Sequence, residues 1–317
     1  MVGDRPARSV AFGDRLAGHV ASRESQLILG LDPDPARLWP RALARGGTMF
    51  ENAPGPAYAA ADAVLAHCEL VIEAVADQCV AVKLQVACFE RLGAPGWAAL
   101  HRVAHAARDR DLLVIADAKR GDIDVTARAY AQAFFGGTPT PFGAVDGLAA
   151  DAMTVNPLLG ADSLTPFVEA ARDRGAGLFV LVRTSNPGAA DVQELALAGG
   201  GSVSERLAAL VDELGSVGES GIADIGAVVG ATAPERMSTL RQRMPHASFL
   251  LPGVGAQGGE VEALAAAFAP GPAGGLVSAS RGIVAAHERT GGDPGAAAAA
   301  EAESLRERAW TLAASLA

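Results

Sequence analysis

The sequence predicts an α/β fold, a (β/α)8 TIM barrel with an additional N-terminal helix. Three observations lead there. Eight short apolar runs recur along the chain, a segment with helical spacing follows each, and polar residues gather just after the C-terminal ends of many runs. The runs are apolar at consecutive positions, the mark of parallel strands covered on both faces. The competing architecture, a doubly wound open sheet, would concentrate its polar residues at one switch point.

In chain order, an amphipathic segment at 8–24 precedes the first strand, 27–31 (LILGL). Further strands are expected at 79–84, 112–117, 151–155 (DAMTV), 178–182, 224–229, 248–251 and 275–278. Helical spacing follows at 57–76, 97–109, 123–135, 160–173, 202–215, 233–243, 258–268 and 296–316. The Gly/Pro-rich stretches 46–56 and 136–147 read as loop insertions, so one barrel domain is expected over 1–317. Segment 183–201 reads as a long polar loop after the fifth strand, a candidate lid.

Composition narrows the function classes. Half of the 317 residues are hydrophobic, which excludes a disordered chain. The net charge of −10 argues against a nucleic-acid coat, though not against a local phosphate pocket. No run reaches the ~18 apolar residues of a membrane span, so no membrane partner is expected. Charges interrupt every apolar stretch near the N-terminus, so no signal peptide is expected. Three cysteines without a CxxC pair suit a reducing, cytoplasmic setting.

The densest polar cluster is Asp117-Ala-Lys119-Arg-Gly-Asp122-Ile123. Asp117 and Lys119 are two apart at a strand end, so strand periodicity puts them on one face. Asp122 falls at the start of the next helix, where it could serve only as an N-cap, and Lys119 and Arg120 could be solvated loop charges. Lys83 sits inside an apolar run, an expensive place for an unpaired ammonium unless it snorkels at the strand end. Asp32 follows the first strand. In a barrel, Asp32, Lys83, Asp117 and Lys119 converge at one mouth as a neutral array. Pro252-Gly-Val-Gly-Ala-Gln257-Gly258-Gly259 follows strand seven, and Ser280-Arg281-Gly282 follows strand eight. Glycines, helix N-termini and an Arg fork at these two loops suit a phosphate. His101 and His105 are i, i+4 on a predicted helix but lack further ligands, so an exposed helix face explains them and no metal site is expected.

These segments resemble orotidine 5′-phosphate decarboxylase. Asp117-x-Lys119-x-x-Asp122-Ile123 matches its signature, flanked in order by LILGLDPDP (27–35), VKLQVACFERLG (82–93), ADAKRGDIDVTARAYA (116–131), DAMTVNPLLG (151–160), VLVRTSNPG (180–188), LLPGVGAQGG (250–259) and SASRGI (278–283). Order and spacing are similar to the subfamily called type 2, over roughly 25–285. The resemblance implies a dimeric barrel, no cofactor, and conversion of orotidine 5′-monophosphate to uridine 5′-monophosphate and carbon dioxide, the last step of de novo pyrimidine synthesis. It implies that Lys119 protonates C6 of the pyrimidine and that Asp117 lies against the departing carboxylate. Lys83 and Asp32 would hold ribose hydroxyls, and Ser185 would contact the pyrimidine. Gln257 and Arg281 would hold the phosphate, helped by backbone N–H groups around Gly258, Gly259 and Gly282. Asp122 and Thr126 would reach into the partner subunit's site. Rival readings are a Mg²⁺-dependent sugar-phosphate enzyme with the same DxKxxD pattern, which would want an acidic residue at Lys83, a class I aldolase, and a nucleotide sensor.

Overall fold

The computed structural model describes residues 10–45, 55–255 and 258–316. Among them, eight parallel strands close into a barrel in chain order, with β8 returning to β1. They are β1 (Leu27–Leu31), β2 (Ala81–Gln85), β3 (Leu113–Arg120), β4 (Ala152–Val155), β5 (Gly177–Arg183), β6 (Ile225–Val229), β7 (Phe249–Pro252) and β8 (Gly275–Ala279). The expected positions hold to within a few residues, and β3 runs on to Arg120.

Period-two geometry separates two apolar layers. Outward residues such as Leu29, Val82, Val114 and Val180 pack under the surrounding helices. Inward residues Ile28, Ala81, Ile115, Ala152, Phe179, Val228, Leu250 and Leu276 fill the barrel. The N-terminal helix, Phe12–Arg23, adds Phe12, Leu16 and Val20 to this inner layer. Phe12 meets Phe179 edge-on at 6.0 Å between ring centroids. A Cβ at Gly226 would lie 2.8 Å from the Phe179 ring and closer still to the Ser248 carbonyl oxygen, so both neighbours require a glycine there. Arg15 adds a 2.9 Å bond to Asp151, whose other oxygen accepts from Val114 N. The floor of the barrel is therefore closed, and any ligand must enter at the other end.

The outer helices are Pro56–Val75, Ala94–Arg108, Asp124–Phe135, Ala161–Asp173, Val203–Leu214, Pro234–Arg243 and Pro294–Ala314. Local chemistry sets their starts. Ser202 accepts from Glu205 N, and Asp293 accepts from Ala296 N ahead of Pro294. The expected helix at 258–268 is instead a 3-10 helix, Val261–Phe268. It lies between a glycine turn and Pro270-Gly271-Pro272. The stretch 136–147 is an antiparallel turn pairing Thr138 with Val145, with Phe142 98% exposed near its tip. Of the stretch 46–56, residues 46–54 lie outside the described residues. No described helix is long and apolar enough to cross a membrane.

Candidate active site

Toward the C-terminal mouth, the inward face of the strands turns from apolar to polar within one period. Ala81 gives way to Lys83 and Gln85, Ile115 to Asp117, Ala152 to Thr154, and Leu276 to Ser278. These side chains line a cleft of about 370 Å³, together with Asp32, Lys119, Ser185, Pro252, Ser280 and Arg281.

Asp117 is the centre. Its Oδ2 accepts from Lys83 Nζ at 2.8 Å and from Gln85 Nε2 at 3.2 Å. Its Oδ1 accepts from Lys119 Nζ at 2.6 Å and from Thr154 Oγ1 at 2.9 Å. Lys83 also lies 4.0 Å from Asp32. Burial would raise the Asp117 carboxyl, but the two ammonium groups outweigh it and hold it well below the usual carboxylate range. Burial likewise works against the Lys83 ammonium, yet Asp117 and Asp32 reverse the sign and hold it charged above its ordinary value. With two carboxylates and two ammonium groups, the array of Asp32, Lys83, Asp117 and Lys119 has no formal net charge.

Lys119 reaches Asp117 by a bulge, not by plain strand alternation. The β3–β4 register shifts between Ala116 and Arg120, and Lys119 has a left-handed φ of 49°. Such a backbone costs about 1–3 kcal/mol for a residue with a side chain. Its side chain, 44% exposed, combines an ion pair with access to the cleft. Arg120 turns the other way, pairing with Glu90 and covering the rings of Tyr130 and Phe134. Neither is a merely solvated loop charge.

Of the other expected residues, Ser185 lines the cleft. A Cβ at Gly230 would lie 2.8 Å from Ser185 Cα, so that glycine admits the loop to its place. The candidate lid carrying Ser185 is folded on itself: Arg183 holds Glu194 at 2.8 Å, and Gln193 accepts from Thr184 N. Arg281 lines both the cleft and an adjoining cavity of about 770 Å³, which Gly282 also lines. Gly258 lines neither. The N–H groups of Gly258 and Gly259 are taken by the carbonyls of Gly255 and Gly253, so in this conformation they are turned into the loop and not toward a ligand. Gln257 lies outside the described residues. Asp122 and Thr126 line neither cavity. Asp122 is not a helix cap either: the helix begins at Asp124, and the Asp122 carboxylate accepts from Ile123 N.

Sequence reasoning missed Thr154 and Gln85. Gln85 was reachable by one period-two step from Lys83. Thr154 is a hydroxyl among the apolar neighbours Met153 and Val155, a weaker signal. Chemically, the arrangement holds one ammonium deep in the barrel and a second at the open edge of a cleft, beside a carboxylate whose proton affinity the two ammonium groups lower. That suits delivering a proton to a centre that gains negative charge.

The chain is similar to known proteins. The model of the family described as orotidine 5′-phosphate decarboxylase / HUMPS matches residues 25–298. A Deinococcus radiodurans protein named orotidine 5′-phosphate decarboxylase is 42% identical over 275 residues, covering 86% of this chain and 88% of its own. One of the same name from Rhodopirellula baltica is 41% identical over 285 residues, covering 88% and 90%. The solved structure of Leishmania donovani OMP decarboxylase superposes with a TM-score of 0.71 at 31% identity, covering 96% of this chain and 99% of that one.

Proposed function

The chain belongs to the orotidine 5′-phosphate decarboxylase / HUMPS family, and we propose that it is a carboxy-lyase converting orotidine 5′-monophosphate to uridine 5′-monophosphate and carbon dioxide without a cofactor. The observation that carries this reading is the ion-paired array of Asp32, Lys83, Asp117 and Lys119 at the barrel mouth.

The chemistry follows from that array. Breaking the bond between C6 and the carboxylate leaves its electron pair on an sp² carbon with no conjugated sink. Lys119 stabilises the developing charge and donates its proton to C6, and its partly open position lets water restore that proton. One such contact supplies about 3–4 kcal/mol, against the ~8–23 kcal/mol by which enzymes lower barriers. The rest must come from placement. Arg281, with Gln257 and Gly282, grips the phosphate, Ser185 meets the pyrimidine, and Asp32 and Lys83 hold ribose hydroxyls. Asp117 lies against the departing carboxylate and fixes Lys119.

Asp122 and Thr126 act in the site of a second copy, in a homodimer. Their place outside this chain's own cleft supports that reading, as do the exposed apolar neighbours Ile123, Val125, Leu158 and Leu159. The metal-dependent relatives that share the DxKxxD pattern would use an acidic residue in β2. Here Lys83 Nζ already supplies the cation between Asp32 and Asp117.

The test is direct. Purified protein given orotidine 5′-monophosphate should lower the orotate-type ultraviolet absorbance, at a rate a metal chelator leaves unchanged. Binding of product without turnover refutes the enzyme reading, and loss of rate with chelator refutes the cofactor-free one.

A further inference from the structure

Thr154 stands on β4, 1% exposed, between two groups that have no choice of role. Lys119 N–H can only donate, and the Asp117 carboxylate can only accept. The Thr154 hydroxyl therefore accepts a hydrogen bond from Lys119 N at 2.9 Å and donates one to Asp117 Oδ1 at 2.9 Å. This single oxygen performs two tasks. At the bulge, β3 loses its ladder register with β4 between Ala116 and Arg120, which would leave the Lys119 amide without a strand partner. The hydroxyl replaces the missing carbonyl and holds the left-handed turn at Lys119. It also supplies the last of four donors around Asp117, with Lys119, Lys83 and Gln85, which fixes the carboxylate against rotation.

The geometry points to Thr154 as a positioning residue of the decarboxylation, tying the backbone of the proton donor to the carboxylate that orients its ammonium. The kinetic side of this inference rests on the functional reading above. Thr154 touches no reacting atom. It sets the path by which Lys119 Nζ arrives 2.6 Å from Asp117. Misplacing a reacting group by about 1 Å costs on the order of 10²-fold in rate.

Thr154→Val keeps the shape and removes the hydroxyl, and Thr154→Ser keeps the hydroxyl. Two measurements on the full chain separate the possibilities. The first is amide hydrogen exchange at Lys119, which needs no substrate. It should quicken by at least about 10-fold in Thr154→Val and remain slow in Thr154→Ser. The second is steady-state turnover of orotidine 5′-monophosphate. Thr154→Val should lower kcat by about 10- to 100-fold with KM changed less than about threefold, and Thr154→Ser should recover most of kcat. An unaltered Lys119 exchange rate in Thr154→Val overturns the inference whether or not the protein is a decarboxylase. An active parent chain whose Thr154→Val variant keeps its kcat also overturns it, as does a loss confined to KM. An inactive parent chain overturns the functional reading, and the exchange measurement still decides whether the hydroxyl holds the turn.

Discussion

Replacing Asp117 by alanine should destabilise the protein mainly by stranding Lys83. The Lys83 side chain is 8% exposed and has Asp117 at 2.8 Å. Its remaining carboxylate, Asp32, is 4.0 Å away and 37% exposed. Removing one member of a buried pair costs about 3–5 kcal/mol, because the other charge stays desolvated. Asp32 offsets part of this, so about 3 kcal/mol is expected. Lys119 adds little, since its exposed ammonium regains water when the pair is lost. Lys83→Met should cost less than Asp117→Ala, because Asp117 would keep Lys119, Thr154 and Gln85. In the double variant no buried ammonium remains, and at least about 2 kcal/mol of the Asp117→Ala loss should return. Urea unfolding midpoints of the four proteins at pH 7 give the cycle. Additive losses would refute the stranded-charge account, as would an Asp117→Ala midpoint equal to that of the parent.

The same array sets a pH dependence. The Asp117 carboxyl titrates lower folded than unfolded, so its contribution is complete above the unfolded value of about 3.9 and is lost as pH falls through the folded one. Lys83 titrates higher folded than unfolded, so its contribution is complete below about 10.4 and is lost as pH rises through the folded value. Unfolding midpoints followed below pH 4 should therefore fall more steeply for the parent than for Asp117→Asn, and equal slopes would count against it. Lys119→Ala should abolish turnover, by at least about 10²-fold, with little change in urea midpoint. Near-normal rates would remove Lys119 from the chemistry. Arg281→Ala should weaken substrate binding by about 10- to 100-fold, read as KM or by nucleotide titration, and an unchanged affinity would place the phosphate elsewhere. Inactive Asp122→Ala and Lys119→Ala proteins, mixed and allowed to exchange subunits, should recover about one quarter of parental sites by random pairing. No recovery would mean that Asp122 serves its own subunit.

The barrel was legible because burial on both faces leaves a strong mark: each strand is a short apolar run, and the runs need no knowledge of their partners to be seen. Lys83 was legible for the opposite reason, since a charge inside such a run is costly unless it meets a partner, and Asp117 and Lys119 were legible as a dense polar cluster at a strand end. The segment VEALAAAF misled because its residues favour an α-helix, whereas between Gly259 and Pro270 the chain winds it as a 3-10 helix. Period-two spacing gave the right partners for Asp117 and Lys119 but not the means, because a bulge is a property of two strands together and β3 alone does not encode it.

Thr154 shows where that limit falls. A β-branched residue in a strand is an ordinary choice, so its presence carries no chemical signal of its own. Only the β3–β4 register, which sets Ala116 beside Met153 and Arg120 beside Val155, brings its hydroxyl between an amide that must donate and a carboxylate that must accept. A charged group betrays itself by the cost of burying it. A neutral hydroxyl costs far less to bury, so its role is fixed by partners that meet only once the chain has folded. The residues that hold a charged site in shape are therefore harder to read from sequence than the charges themselves, and they are found by asking which donor or acceptor each buried charge still needs.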